Sequence, residues 1–406
     1  MVSLLAELAL AGIMLSTGSL NTISKKVMYQ TDGTNIDGGI EKYQKPWLCT
    51  LVMFCGESMC MIFFYLFALY FKCTKKPSEQ LNTPILISDT SDKTTQQKIQ
   101  FVSREETERD PTGGLRWKFP FFVALFASCD LLSTTLTGIG LVFCNASIVQ
   151  MLRGFVIVFT MLFAWAFLHR KPKVYQVLGV VFALSGLVMV GGSAVLNESS
   201  EGGSKHDIKD TLLGIGLVLC SQVFSSVQFV FEEKLLKQNT GKTAPIPSLF
   251  LVGSEGIAGA ILSICVALPT VNAIHGSDHG SYENLKNSVY MLFHNTQITV
   301  LQFLYFISIS FFNWSSFVYS KALSATARTL VDALRTILVW IVMASIYPLT
   351  HKEYGEGISV WSLLQAVGFV FMLLGTTTHN NIAGVGEKLT KCCTQKKIDA
   401  EPLIKQ

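Results

Sequence analysis

Charged side chains are scarce in this 406-residue sequence, because Asp, Glu, Lys and Arg together make up only 15% of it. A soluble domain carries about 25%. The formal net charge of +4 is too small to favour nucleic acid as a partner. The 28 Phe, against 11 Pro, are spread along the whole sequence and exclude a chain that is disordered or collagen-like throughout.

Catalytic signatures are missing as well. The sequence contains no P-loop, no H-E-x-x-H and no G-x-S-x-G, which argues against a P-loop ATPase, a zinc protease or a serine hydrolase. We therefore expect no enzyme, no cofactor and no metal. The ten Cys lie in or beside apolar segments, or in segments predicted to be cytosolic, so we expect no disulfide framework.

Long apolar segments are abundant. Half of the residues are hydrophobic, and they form blocks of the length that a helix needs to cross ~30 Å of hydrocarbon. The strands of a β-barrel would instead read as alternations of roughly ten residues. We predict an all-α membrane protein with ten transmembrane helices at 4–24, 47–71, 119–142, 146–168, 174–196, 211–231, 248–269, 298–320, 325–347 and 359–380.

The first block can also be interpreted as a signal peptide. It lacks a basic segment before the apolar run, however, and Ser16, Thr17, Ser19 and Asn21 interrupt that run. A retained helix is the preferred interpretation.

The distribution of Lys and Arg predicts that both termini are cytosolic. Segments on the side of the N-terminus hold more than twice as many as the opposite loops. The loop 72–118, rich in Ser, Thr, Gln, Lys and Glu, is predicted to be disordered and cytosolic. In the opposite, lumenal loop 271–296, five residues recur at helical spacing and predict a short amphipathic helix on the membrane surface: Tyr282, Leu285, Val289, Leu292 and Phe293.

Three pairs of motifs indicate an internal duplication. Q-x-x-G-x-x-F-x-x-x-G begins at Gln176 and again at Gln365, and a second pair of segments ends in Arg153 and Arg335. Spans 2 and 7 each carry an acid beside a glycine. We interpret residues 1–196 and 197–380 as two five-helix repeats, followed by a cytosolic tail at 381–406.

Five spans per copy imply that the second repeat enters the membrane inverted, an architecture typical of carriers that alternate between two open states. The glycines of spans 5 and 10 are assigned to helix packing or to a homodimer contact.

Ionisable groups inside the membrane are functional candidates, because each costs ~3 kcal/mol or more at the bilayer centre. Polar stripes on spans 3, 6 and 9 are predicted to line a wet substrate cavity. Salt bridges, Arg335 with Asp332 and Arg153 with Glu57, are the structural alternative. Glu57 and Asp130 are the proton-coupling candidates. The candidate cavity residues are Asn21, Glu57, Asp130, Gln150, Arg153, Gln228, Glu255, Arg328, Asp332 and Arg335.

Glu232 and Glu233, followed by Lys234, are interpreted as an interfacial cap of span 6.

Several segments resemble the F6 branch of solute carrier family 35, within the drug/metabolite transporter superfamily. These are 16–22, 56–58, 129–130, 150–154, 232–234, 254–256, 311–313, 323–328 and 332–336. The resemblance implies a multipass carrier of lysosomal or related membranes, with a nucleotide-sugar-transporter-like fold. The chain is more distantly similar to the chloroquine-resistance transporters, which are proton-linked. Loop 271–296 lacks the Cys of their lumenal loop.

The tail carries an acidic dileucine pattern formed by Asp399, Leu403 and Ile404, which predicts sorting by a clathrin adaptor. We expect a lysosomal membrane rather than the Golgi, plasma or mitochondrial membrane, and a small organic solute as the partner. A membrane scaffold that no longer transports is the alternative function.

Overall fold

The computed structural model describes residues 2–73, 110–143, 152–169, 171–200, 208–237, 245–276, 278–349 and 360–388. Most of these residues are helical. The helices are α1 Val2–Gln30, α2 Pro46–Cys73, α3 Phe119–Phe143, α4 Val156–Leu168, α5 Val174–Ser200, α6 Ile208–Lys237, α7 Ser248–Leu262, α8 Leu268–Ala273, α9 Leu285–His294, α10 Thr296–Ala322, α11 Ala325–Leu349 and α12 Ser362–His379. Strands β1 Asp32–Thr34 and β2 Ile40–Lys42 pair antiparallel.

The prediction of an all-α membrane protein is confirmed. Within the described ranges, seven helical segments are long and apolar enough to cross a membrane by length and composition, and α4 is a shorter apolar helix. Each predicted span overlaps at least one of the described helices, but the number of ten crossings stays a prediction. The seven are Pro46–Cys73, Phe119–Gly140, Val174–Ser193, Leu212–Lys237, Ser248–Ala273, Thr296–Ala322 and Ser362–His379.

The predicted end of the first span is wrong. Helix α1 continues to Gln30 instead of ending at residue 24, so Lys25 and Lys26 belong to the helix and not to the following loop. Several predictions fall outside the described residues: most of the loop 72–118, Gln150, and the sorting signal at Asp399, Leu403 and Ile404.

A short turn of π-helix, Ser263–Ala267, joins α7 to α8. Pro269 lies in the first turn of α8 and has no backbone N–H to donate to the preceding turn. The wider turn accommodates the missing hydrogen bond, so that one predicted span, 248–269, continues through the proline.

The chain folds as two compact units. The first comprises Met1–Leu132, Phe231–Ser324 and Arg335–Gly357, and the second comprises Ser133–Val230, Ala325–Leu334 and Ile358–Gln406. Each unit thus draws on both predicted repeats. A compact unit and a sequence repeat are different divisions of a chain, so the repeats 1–196 and 197–380 stay a prediction.

The first unit is built by α1 against α10 and by α2 against both α7 and α10. An aromatic group holds one end of it, where the ring of Phe250 packs against Phe64 and stacks on Phe119. Glycines allow α2 to approach its neighbours closely. A Cβ on Gly56 would lie 2.8 Å from the carbonyl oxygen of Phe306, and one on Gly256 would lie 2.6 Å from Cβ of Glu57.

In the second unit, α5 packs along α12 through the repeated motif. A Cβ on Gly179 would lie 2.7 Å from the carbonyl oxygen of Gly375, and Gly186 likewise faces the carbonyl of Gly368. These pairs run in opposite directions along the two helices, so the contact is antiparallel. The glycines are therefore used within the chain for close packing, as predicted, and these faces are covered rather than open to a partner subunit.

We expect Gly186→Ala to destabilise the second unit, by about 1–3 kcal/mol, because the added methyl group overlaps α12. Its Cβ would lie 2.7 Å from Cγ of Met372. Gly192 is the matched control on the same helix, since a Cβ there meets nothing within 4 Å. Gly192→Ala should leave stability unchanged or raise it by about 0.5–1 kcal/mol. Thermal unfolding in detergent measures both, and an unchanged midpoint for Gly186→Ala would contradict the close contact.

Candidate functional site

Glu57 lies in the membrane-spanning part of α2 and is only 4% exposed. Its backbone sits at the close contact with α7, because Gly256 leaves room for it. Its Oε1 accepts a hydrogen bond from the side-chain amide of Asn313 on α10. A buried acid is thus placed where α2 and α7 meet and bonded to a polar group on a third helix, α10, the pattern expected of an intramembrane functional group.

Arg335, on α11, lies beside Phe312 and Gly18. Its guanidinium carbon is 5.2 Å from the centre of the Phe312 ring, within range of a cation–π interaction. A Cβ on Gly18 would lie 2.8 Å from the Phe312 ring and 2.9 Å from Cδ of Arg335. The glycine of the Ser16–Thr22 segment therefore provides space for this pair.

Tyr305 lies near both Glu57 and Arg335. Its side chain is 2% exposed, and its hydroxyl lies within electrostatic range of Glu57, Asp130 and Arg335. Nζ of Lys25 is 5.8 Å from the centre of the Tyr305 ring. We call Lys25, Glu57, Asp130, Tyr305, Asn313 and Arg335 the Tyr305 cluster. It combines acids, cations and aromatic rings within the first unit, which suits the binding of a polar or charged solute.

The structure brings together three of the predicted cavity residues, namely Glu57, Asp130 and Arg335. Two more belong to the same unit. Asn21 is 8% exposed and its Oδ1 has no hydrogen-bond partner among the described residues. Glu255 is 3% exposed and adjoins the α2 contact at Gly256.

The remaining predicted residues that the structure describes belong to the second unit. Arg328 is buried, with its guanidinium carbon 4.3 Å from the centre of the Phe229 ring. Gln228 is also buried, and Asp332 is half-buried. Arg153 is exposed in the structure. On span 9, Arg328 and Asp332 thus belong to one unit and Arg335 to the other, and their common polar face stays a prediction.

Part of the predicted cavity lining also has hydrogen-bond partners within the protein. The stripes of spans 3 and 6 hydrogen-bond to each other: the hydroxyls of Ser133 and Ser225 are 2.6 Å apart, and Thr137 donates to Ser221 at 2.8 Å. These bonds form a polar seam between α3 and α6, and the wet cavity stays a prediction.

The interpretation of Glu232 and Glu233 as an interfacial cap is wrong, because α6 continues to Lys237. Both side chains are fully buried within α6, and Nζ of Lys237 lies 2.9 Å from Oε1 of Glu233. Burial of a charged pair requires close partners, and the helix supplies one a turn away.

Sequence reasoning missed Lys25, Tyr305 and Asn313. Lys25 was placed in a loop because the apolar run ends before it, while Tyr305 and Asn313 lie in an apolar span that carries no charge to draw attention to them. The available signal was Asn313 itself, since a carboxamide in the middle of a membrane helix needs a hydrogen-bond partner.

A polar network holds the β1–β2 hairpin against the segment before α9. Nζ of Lys45 lies 2.7 Å from Asp278 and 3.3 Å from Glu41. Asn287 donates to Glu41 at 2.6 Å and to Asp278 at 3.0 Å. We call this set, with Glu283 and His279, the loop network. It fixes the start of α2, the helix that carries Glu57.

Three members of the loop network, Glu41, Asp278 and His279, have ligand atoms within 4.8 Å of one another, a spacing that could hold a metal ion. Each already has a protein partner, since Nδ1 of His279 lies 2.9 Å from Asp37 and Lys45 neutralises the acids. We assign these groups to ion pairing.

Glu283 caps the first turn of α2. Its carboxylate accepts hydrogen bonds from the backbone N–H groups of Trp47 and Leu48, at 2.8 and 2.9 Å, where a helix has unsatisfied donors. Burial raises the pKa of Glu283 from 4.5 to about 7, although these hydrogen bonds and Lys45 lower it.

Comparisons with known proteins identify relatives over most of the chain. Residues 100–192 match the EamA-like transporter family. The chain is 31% identical to solute carrier family 35 member F6 of Rattus norvegicus over 399 residues, 96% of this chain and 92% of that protein. It is 29% identical to the Homo sapiens protein of the same name, over 93% of this chain and 89% of that protein. A protein of known crystal structure, 11% identical, has the same fold with a TM-score of 0.52 over 92% of this chain and 96% of that one.

Glu283 predicts a pH-dependent stability. Because the pKa of Glu283 is about 7 in the folded protein and 4.5 ordinarily, the folded state binds a proton at this carboxyl more tightly than the unfolded state does between pH 4.5 and 7. Its contribution is fully present below about pH 4.5 and is lost as the pH rises through 7, amounting to roughly 3 kcal/mol at most. Glu283→Gln should flatten the dependence of the unfolding midpoint on pH between 5 and 8, roughly the interval that this shift spans.

The exposed Glu387 provides the matched control for this exchange. Glu387→Gln should keep the slope of the wild-type protein. Equal slopes for the wild-type protein and Glu283→Gln would refute the assignment of the titration to Glu283.

Proposed function

Since the chain belongs to solute carrier family 35 and is a membrane transporter of small solutes, we propose that it moves a small organic solute across an endomembrane by alternating access. The observation that carries this proposal is the Tyr305 cluster. Polar groups and charged groups of both signs are gathered on membrane-spanning helices, and the energetic cost of placing charges there makes them functional candidates.

The proposed mechanism uses ten spans arranged as two inverted five-helix repeats. Support comes from the contact between α5 and α12. Gly179 faces Gly375, Gly186 faces Gly368, and the rings of Phe182 and Phe371 pair at 6.3 Å between centroids. Equivalent positions of the two motifs thus exchange places across the contact, as a twofold relation requires. Two equivalent halves can take turns in opening to either side.

Within the proposed site, Lys25 and Arg335 offer positive charge, and Glu57 and Asp130 offer negative charge. The aromatic rings of Tyr305 and Phe312 lie beside the cations. The solute classes to be tested are nucleotide-linked sugars, amino acids, peptides and cationic metabolites. Glu57 and Asp130 are proposed to carry protons if transport is coupled to them.

We propose the lysosomal membrane as the location, with both termini cytosolic. The acidic dileucine pattern at Asp399, Leu403 and Ile404 supports sorting through a clathrin adaptor. The relatives named above are carriers, which supports a transporter without enzymatic activity. A scaffold that binds partners through its long loop and tail is the alternative function.

Purified protein reconstituted into liposomes should take up at least one solute from a panel of these classes. Arg335→Ala should reduce that uptake about tenfold or more, because it removes a cation of the site, and a tenfold loss corresponds to ~1.4 kcal/mol of binding. Arg335→Lys should restore part of it.

The exposed Arg116 supplies the control, and Arg116→Ala should transport as the wild-type protein does. Thermal unfolding shows whether each variant is folded. Folded wild-type protein that exchanges no solute from the panel would favour the scaffold.

If transport is coupled to protons through Asp130, Asp130→Asn should abolish the dependence of uptake on the pH gradient, because the amide cannot bind and release a proton. Glu57→Gln tests the second candidate in the same way. Uptake into liposomes at varied internal pH measures both. The exposed Asp110 is the control, and Asp110→Asn should keep the wild-type response. A wild-type response in both Asp130→Asn and Glu57→Gln would contradict the assignment of proton transfer to these two residues. Uptake by the wild-type protein that does not depend on the pH gradient would indicate a uniporter.

A further inference from the structure

The short helix α9 has apolar side chains on its exposed side. Its buried residues are the polar Asn287 and Ser288 and the apolar Met291, and Asn287 is satisfied by the loop network. Its outward face carries Val289 and Phe293, of which Phe293 is 72% exposed. A helix that turns its apolar side outward is suited to apolar surroundings.

The outward face forms an open groove. Residues of α9 and the tip of the β1–β2 hairpin border an open space of about 560 Å³. Its lining is almost entirely apolar and includes Ile36, Leu285, Val289, Tyr290 and Phe293. Ile36 is 46% exposed and extends the apolar surface beyond the helix itself.

The position of α9 along the chain places this groove beside membrane spans. The helix ends at His294, and the apolar span α10 begins at Thr296. The hydroxyl of Thr299 on α10 donates to the carbonyl of Leu292 and ties the two helices together. On the other side, Glu283 binds the first turn of the span α2. α9 therefore lies at the level where two spans begin.

Two basic residues, Lys286 and His294, line the groove beside its apolar residues, and the side chain of Lys286 is exposed. An apolar trough with a cationic group, Lys286, at its rim complements a phospholipid, whose acyl chain is apolar and whose phosphate is negative. A membrane-surface helix with this distribution embeds its apolar face among acyl chains and keeps its charges at the headgroups.

We propose that the groove formed by α9 and Ile36 is a docking surface for the bilayer, in which phospholipid acyl chains occupy the groove. Lys286 and His294 then face the phosphate groups. The surface anchors the loop network to the membrane and contains none of the residues of the Tyr305 cluster.

The proposal predicts that residue 293 contacts acyl chains. The full chain carrying Phe293→Trp is reconstituted into nanodiscs of phosphatidylcholine, with and without bromine on the acyl chains, and compared with the wild-type protein to subtract the native Trp emission. The added emission should be quenched by about half or more, because bromine quenches an indole that it touches and an interfacial Trp lies among the chains.

Lys42→Trp is the matched control, because Lys42 is exposed on the same hairpin but does not line the groove. Its emission should be far less sensitive to brominated lipid. If Phe293→Trp does not fold, Val289→Trp reports on the same groove. The proposal would be overturned if brominated lipid did not quench the emission from residue 293 and iodide in the water did. The exposed face of α9 would then be available to a soluble partner.

Discussion

Hydrocarbon offers no hydrogen bonds, so a polar group inside the membrane depends on the protein for its hydrogen-bond partners. This constraint explains the internal organisation of the first unit. The carboxylate of Glu57 accepts from Asn313, and the hydroxyl of Ser310 donates at 2.7 Å to the carbonyl oxygen of Gly56. Charged, aromatic and amide groups are thus gathered between helices, where each has a neighbour.

Close approach of backbones is the second requirement, and small residues meet it. Lipid chains are as apolar as the helices, so association relies on packing and on interhelical hydrogen bonds. Gly253 and Gly256 of α7 face the segment of α2 that carries Glu57, and Gly18 admits the pair of Phe312 and Arg335. Positions that look featureless in sequence therefore determine where the charged groups can lie.

The sequence predicted the helices well and the site only in part. Helix positions follow from the length of apolar blocks, because that length must match the membrane. The amphipathic helix in loop 271–296 was predicted from the spacing of Leu285, Val289 and Phe293, and α9 is there. Amino-acid composition does not determine which helices contact each other, because that depends on side-chain packing. The seam of Ser133 with Ser225 is one such contact, and Tyr305 was overlooked because nothing local distinguishes it from other aromatic residues in apolar spans.

The capped start of α2 has a mechanical consequence. From Leu48, whose N–H is held by Glu283, to Glu57 the helix advances about 14 Å at ~1.5 Å per residue. No proline interrupts α2 after Pro46, so this segment behaves as a stiff rod and not as a hinge. A shift of the loop that binds the start of α2 therefore moves Glu57 as well. The position of Glu57 is thus coupled to the aqueous side of the membrane without direct contact.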